Sequence, residues 1–412
     1  MTKGNLIVGL DIGTTKVCAI IGEIGEEGQL EIVGVGTSPS AGVRRGVVVN
    51  LDATVKSITK AIKEAELMAG VEVKSVYAGV AGSHIKGMNN NGVVVVASRG
   101  GQGEIRETDV KRVIDTAKGV SIPADREIIH VVPQQYIIDD QDGIKDPVGM
   151  SGVRLEAEVH IVTGAVTSIQ NIIRSINQAG YEVEDIVFKP LAASYATLTK
   201  DEKDLGVVLV DVGGGTSDIV VFVEGSVWHT EVLPIGGENI TRDISVGLRT
   251  PMLEAEEIKK KHGCAFSSLI SDDETIKVPS VGGRKSRSLP RQVLVEIIEP
   301  RMEEIFSRVN RQIRMTGYEN LISSGIVLVG GTSILPGSAE LAEKVFDLPV
   351  RIGEPVGVKG LIDVVSSPLY ATGVGLVLYG KDQSEEVDRE ESIFDKIGKA
   401  FKGLTDKVKE YF

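Results

Sequence analysis

Near its start the chain carries Leu6-Ile-Val-Gly-Leu-Asp11, an almost unbroken apolar run closed by a carboxylate. That pattern predicts a strand covered on both faces. A glycine turn follows, then apolar runs at Val17–Gly22 and Gln29–Gly36, so the segment reads strand, hairpin, strand, hairpin, strand. Leu205-Gly-Val-Val-Leu-Val-Asp211 repeats the plan, with Gly213-Gly-Gly-Thr-Ser-Asp218 as its turn and Ile219–Val223 and Ser226–Pro234 as the strands beyond. Aligning Asp11 with Asp211 carries the match through to Gly34-Val-Gly36 and Ile235-Gly-Gly237. Chance likeness of two hairpins is the bland alternative. The strand-for-strand spacing favours a duplicated domain.

Helical patterns lie between these blocks. Asp52–Ala69 places Val55, Ile58, Ile62, Ala65, Met68 and Ala69 on one face. Thr167–Ala179 follows the strand Glu158–Val162. Thr250 reads as an N-cap with Pro251 in the first helical position; charge then runs from Glu254, Glu256 and Glu257 to Lys259–Lys261, and Gly263 ends the helix. Leu294–Arg314 reads as a long helix interrupted early by Pro300. Residues 84–163 read as an insertion: strand Gly92–Ser98, helix Glu107–Lys118, and strands Glu127–Asp139 and Val153–Val162. His130 and His160 alternate with apolar residues there, as half-buried strand histidines do, and no catalytic constellation is visible. A binding module is the default for the insertion.

The end of the chain changes character. Residues 381–391 hold two basic and six acidic residues and little that is apolar, a solvated linker. Beyond it Ile393, Phe394, Ile397, Ala400, Phe401, Leu404, Val408, Tyr411 and Phe412 recur at three and four residues, with five lysines against three acids over 392–412. A basic amphipathic helix with aromatics suits an anionic membrane surface; docking on its own core is the alternative.

Composition narrows the classes. A chain of 412 residues is too long for one core, and a net charge of −13 argues against nucleic-acid binding. Cys18 and Cys264 lack any CxxC spacing, which fits a reducing compartment and no cysteine-bound metal. No signal-peptide pattern is seen, and the charge-free stretches Asn320–Ala339 and Val364–Gly380 contain proline and several glycines, as packed core and turns do. A cytoplasmic protein is expected.

The candidate chemistry lies at the paired turns. Glycines directly after a buried strand bring backbone N–H groups within reach of phosphate oxygens. Gly13, Thr14, Thr15 and Lys16 form one such loop, and Gly213, Gly214, Gly215 and Thr216 the other. Asp11 and Asp211, each ending a strand, are placed to hold Mg2+ through water and so to position Mg-ATP. A third strand, Ile326–Val329, ends in Gly330, Gly331 and Thr332. With Gly236, Gly237 and Glu238, and with Glu256 and Lys259 one helical turn apart, it could enclose adenosine. An ordinary surface ion pair is the alternative for Glu256 and Lys259.

Asp11-Ile-Gly-Thr-Thr, Pro190-Leu-Ala-Ala-Ser, Asp211-Val-Gly-Gly-Gly-Thr, Val329-Gly-Gly-Thr and Ala371-Thr-Gly-Val-Gly occur in the order of the five motifs of actin, heat-shock chaperones and sugar kinases. Within that superfamily the chain resembles the FtsA family of bacterial cell-division proteins. Segments carrying this include Pro133-Gln-Gln-Tyr, Gly143-Ile-Lys-Asp-Pro-Val-Gly-Met-Ser, Lys261-His-Gly-Cys-Ala, Val278-Pro-Ser-Val-Gly-Gly-Arg, Ser288-Leu-Pro-Arg and Glu299-Pro-Arg. The resemblance implies an actin-like α/β fold: two duplicated RNase H-like domains, each a mixed five-stranded sheet flanked by helices, plus an inserted α+β subdomain. The first domain would comprise 1–83, 164–195 and 360–380, and the insert 84–163. The second would comprise 196–359, with a smaller subdomain at about 240–315.

It also implies an ATP-binding protein that polymerises and tethers the tubulin-like GTPase FtsZ to the inner face of the membrane at the division site. The FtsZ C-terminal tail would dock near Arg301, Glu304 and Arg308, which share a helical face; a solvated charged face is the alternative. Later division proteins would meet the insert. Ile393, Phe394, Ile397, Phe401, Leu404, Val408 and Phe412 would enter the lipid. Where relatives carry a carboxylate or glutamine to orient water, this chain has Lys189, so ATP binding is better supported than turnover, and at most a weak ATPase is expected. A small-molecule kinase of the same superfamily and a pilus-assembly adaptor are the competing readings. A kinase would need an acceptor site with a positioned carboxylate, and neither competitor explains the tail.

Overall fold

The computed structural model describes residues 6–96 and 103–385, apart from 272, 281, 283 and 284. The duplication predicted from the apolar runs is present as two sheets with equivalent pairing. In the first, Leu6–Ile12 pairs antiparallel with Lys16–Ile24, which pairs with Leu30–Pro39; Ser75–Val80 and Glu182–Phe188 extend the other side in parallel. In the second, Val207–Val212, Ser217–Val223 and Ser226–Leu233 form the antiparallel part, and Ile326–Val329 and Val350–Ile352 the parallel part. Register repeats residue for residue: Asp11 faces Cys18, and Asp211 faces Asp218. Val207–Val212 is buried throughout, which its unbroken apolar run requires. The first sheet departs from the expected five strands. Lys359–Gly360 adds a sixth, parallel to Glu31 and Ile32 at the exposed edge.

Helix Leu51–Ala69 is capped by the Asn50 side chain, which accepts from the Ala53 N–H at 3.0 Å, and ends at Gly70 with φ 68°. Ile58, Ala61, Ile62 and Ala65 bury against the first sheet. Gly34 and Gly36 make that packing possible: a Cβ on Gly34 would lie 2.6 Å from the Ala65 carbonyl oxygen, and one on Gly36 would lie 2.5 Å from the Ala65 nitrogen.

Two helical expectations need correction. Thr250 does not cap the next helix: Pro251 is the cap residue of Met252–His262, and the Thr250 hydroxyl is buried without a partner. The backbone of Thr250 is instead tied to the preceding helix, its N–H donating to Ser245 O and its carbonyl accepting from Ser245 Oγ at 2.7 Å. Pro300 does not interrupt its helix, which runs unbroken over Arg291–Thr316. Ile298, Met302, Ile305, Phe306 and Val309 bury in one core across the proline, and that burial outweighs the one backbone hydrogen bond lost.

The insert is a sheet of Gln141–Ile144, Arg126–Ile138, Arg154–Ala165 and Lys86–Val95, with helix Glu107–Lys118 against Lys86–Val95 and Arg154–Ala165. Gly92 lets the helix approach, since a Cβ there would lie 2.5 Å from the Ala117 nitrogen. Strand Ser226–Leu233 of the second sheet receives the insert's polar side chains. Asn89 Nδ2 donates to Trp228 O at 3.2 Å, Gln134 Nε2 to Val227 O at 3.0 Å, and His160 Nε2 lies 2.9 Å from Thr230 Oγ1. His160 is thereby buried, and His130 is buried elsewhere, its Nε2 accepting from the Phe188 N–H at 2.9 Å; both go beyond the half-burial that their alternation predicts. Residues 371–385 are helical, so the acidic stretch begins as helix before residue 386. Ile393, Phe394, Ile397, Phe401, Leu404, Val408 and Phe412 lie outside the described residues. Among those described, no helix is long and apolar enough to cross a membrane.

Candidate functional site

The two phosphate-type loops face each other across a cavity of about 650 Å³. Each is closed by the same bond: Gly13 N–H donates to Lys16 O, and Gly213 N–H to Thr216 O, both at 2.9 Å. The approach is close enough to demand glycine. A Cβ on Gly214 would lie 2.5 Å from Thr15 Cγ2, and one on Gly215 would lie 2.7 Å from Thr14 Oγ1. Asp11, Gly13, Thr14, Thr15 and Lys16 line one wall, and Asp211, Gly213, Gly214, Gly215 and Thr216 the other.

The third glycine element closes the far end. Thr332 N–H donates to Val212 O, and its hydroxyl to Gly213 O at 3.0 Å, which locks Gly330, Gly331 and Thr332 onto the second loop. Gly237 and Glu238 donate their N–H groups to Gly213 O and Gly214 O at 3.0 and 2.8 Å. Lys259 Nζ reaches Gly237 O at 3.1 Å, Thr241 Oγ1 at 2.9 Å and Glu256 at 2.7 Å. Glu256 and Lys259 are therefore wall residues and not a solvated surface pair. Burial lowers the Lys259 pKa against the pull of Glu256; burial raises that of Glu256, but Lys259 and Thr241 bring it below the ordinary value.

Gly236 does not line the cavity. A Cβ there would lie 2.6 Å from Gly213 O and 2.8 Å from Gly214 O, so its bareness lets the two loops of the second lobe pack.

Several wall residues escaped the sequence reading. Ile334, Leu335 and Pro336 supply the apolar face beside Gly330 and Gly331, as a base-binding end requires. Asp218 ends the second loop opposite Asp211, buried; its Oδ2 accepts from Thr216 Oγ1 at 3.3 Å and its Oδ1 has no partner. Its place in the loop motif was the available signal. Thr372 donates to Asp211 Oδ2 at 3.2 Å, a contact across 161 residues that no local pattern reveals.

Charge concentrates between the two glycine loops. Burial and then Asp11 raise the Asp211 pKa to about 6, against Lys189 and Thr372. Burial and Asp211 raise Asp218 well above the carboxylate range. Among the described residues no three carboxylate, imidazole or thiolate groups converge to hold a metal directly. The donor set fits Mg2+ held through water, and the unpartnered Asp218 oxygen is a ready acceptor for such a water. The glycine cradle and apolar end fit a nucleotide.

The other predicted cluster is assembled differently. Arg301 is bound by Asp243 at 2.5 Å and by Glu304, and Arg308 pairs with Glu304 at 2.6 Å. The three do share a face, but Arg301 is turned to the neighbouring helix Gly237–Gly247, and Arg308 is the exposed member.

The family model for "Cell division protein FtsA" matches residues 208–375, and that for "SHS2 domain inserted in FTSA" matches 82–163. The cell division protein FtsA of Pseudomonas aeruginosa is 52% identical over 384 residues, covering 93% of this chain and 91% of its own. That of Escherichia coli K12 is 42% identical over 420 residues, covering 100% and 99%. Among solved structures, the PilM–PilN type IV pilus biogenesis complex matches with TM-score 0.65 at 15% identity over 91% of this chain and 98% of that one. MreB5 of Spiroplasma citri bound to ADP matches with TM-score 0.57 at 13% identity, covering 93% and 98%. At those identities the solved structures speak to the actin-like fold alone, whereas the full-length sequence matches settle the kinship: the chain belongs to the FtsA family of cell-division proteins, with an SHS2 domain inserted in an actin-like fold.

Proposed function

We propose that this chain binds Mg-ATP between its two lobes, polymerises, and tethers FtsZ to the inner face of the cytoplasmic membrane during septum formation. One observation carries the nucleotide step: two identically closed glycine turns, each preceded by a strand-ending aspartate, face each other across one cavity. Backbone N–H groups of Thr14, Thr15, Gly214 and Gly215 would hold the phosphates, Asp11 and Asp211 would orient Mg2+ through water, and Gly330, Gly331, Glu238, Glu256 and Lys259 would enclose the nucleoside. Mg2+ would supply charge neutralisation between phosphates and carboxylates. Lys189, paired with Asp11 at 2.7 Å, is not placed to act as a base for water, so the residues support binding and at most slow turnover.

Kinship with FtsA supports the remaining steps over the kinase reading. Residues 392–412 would attach reversibly, each lysine adding about 1 kcal/mol at an anionic surface, and stacked subunits would raise the avidity. Arg308, the exposed residue of its cluster, and its pair partner Glu304 would meet the C-terminal tail of FtsZ; other division proteins would meet the SHS2 insert. Electron microscopy of the full chain on anionic vesicles tests this. Filaments that need ATP and residues 392–412, and that recruit an FtsZ tail peptide, are expected; ATP-independent behaviour with no loss on deleting 392–412 contradicts it.

A further inference from the structure

Lys189 is aimed into the cleft from the first turn of helix Lys189–Thr197, where strand Glu182–Phe188 ends. Its ammonium is buried, 2.7 Å from Asp11 Oδ1, and donates to Ile12 O at 2.7 Å. Gly79, paired with Asp11 in the adjacent strand, leaves room for the stem: a Cβ there would lie 3.2 Å from Lys189 Cγ. The cleft's other nearby cation is committed elsewhere. Lys16 Nζ donates to Leu369 O at 3.1 Å and lies over the Tyr370 ring. Three buried or half-buried carboxylates, Asp11, Asp211 and Asp218, thus face the phosphate end, and one ammonium is buried among them.

We propose that Lys189 is a positioning residue that serves as a built-in counter-cation for Asp11, so that nucleotide binding in this cleft depends only weakly on free Mg2+. The proposal rests on the nucleotide reading above. A carboxylate directed at a triphosphate repels it unless a cation intervenes, and repulsion strengthens as water is excluded. A divalent ion must be drawn from solution. Lys189 is supplied by the chain and held by the ion pair with Asp11 and the hydrogen bond to Ile12 O. Breaking a buried pair by removing one partner leaves an uncompensated charge, so the cost of losing Lys189 falls on Asp11 and on whatever anion lies before it.

The test is equilibrium dialysis of the full chain against radiolabelled ATP, in Mg2+ and in EDTA. Wild type is expected to lose less than about threefold in affinity in EDTA, and Lys189→Arg to behave alike, whereas Lys189→Met loses more than about tenfold. Adding Asp11→Asn to Lys189→Met removes the charge that needs compensation and restores the weak Mg2+ dependence. In the same variants the melting temperature without ATP should respond to Mg2+ only for Lys189→Met. Equal Mg2+ dependence of wild type and Lys189→Met overturns the proposal. Should Lys189→Met fail to fold, wild type decides alone: a loss beyond about tenfold in EDTA overturns it. Absence of ATP binding by wild type in Mg2+ overturns the nucleotide reading itself, and this proposal with it.

Discussion

The two lobes share a backbone plan and differ in what they do with it. In each, an aspartate ends the central strand and a glycine turn closes through a 2.9 Å bond. Yet Asp11 faces a buried thiol, Cys18, and is paired with the Lys189 ammonium, whereas Asp211 faces a second carboxylate, Asp218, and has the Thr372 hydroxyl. The glycines that the sequence aligns are not equivalent in register: Gly36 lies opposite Ala19 within Leu30–Pro39, whereas Glu231 takes that place opposite Ile219 and Gly236 falls beyond the strand, at the start of a helix. Gly34 and Gly36 admit a helix onto the first sheet, while Gly236 and Gly237 wrap the second loop. Duplication thus accounts for the geometry of the cradle, and the side-chain departures from symmetry account for its charge.

Breaking these glycines should separate the two roles with the largest effects. Gly236→Val drives its Cβ into Gly213 O and Gly214 O, so ATP binding should weaken more than about 100-fold with the fold intact. Gly36→Val instead opposes helix Leu51–Ala69 and should lower stability by about 3 kcal/mol or more in denaturant titration. Next come the aspartates. Asp211→Asn should weaken Mg-ATP by about threefold, the most that Mg2+ contributes, and Asp11→Asn should not weaken it, because Lys189 remains to meet the phosphate. Comparable losses in calorimetric titrations would remove the asymmetry.

The insert provides a third contrast, through pH. Burial lowers the His130 pKa to about 4 and that of His160 to about 3. Both are neutral in the folded chain while the unfolded chain takes up protons below its ordinary value of 6.5. Stability should therefore be full above pH 6.5 and fall as pH drops towards 4, by about 1.4 kcal/mol per pH unit for each histidine. His160→Gln should make that slope shallower. Smallest are the arginines: in denaturant titration Arg301→Ala frees Asp243 and should cost about 1 kcal/mol, while Arg308→Ala stays within about 0.5 kcal/mol and instead weakens binding of an FtsZ tail peptide.

Legibility followed the range of the interaction that decides each feature. The strands around Asp11 and Asp211 were readable because burial on both faces demands an unbroken apolar run. Most of the cleft was readable because close backbone approach demands glycine. The N-terminal half of strand Lys86–Val95 was hidden by Asn89-Asn90-Asn91, whose side chains are spent on the Trp228 carbonyl, the Ala117 carbonyl and Glu156. Thr250 has the residue type of a cap but is held by Ser245. Lys189 looked misplaced as a base, and only its approach to Asp11 in three dimensions gives it a partner. Pro300 shows the converse, a local breaker overridden by the core on either side of it.

The central claim is that the cavity between the two loops is the ATP site. Equilibrium dialysis of radiolabelled ATP against wild type and folded Gly236→Val tests it most directly. One ATP per wild-type chain and none on the variant is the predicted result; an unoccupied wild type, or a variant that binds as well as wild type, would contradict it.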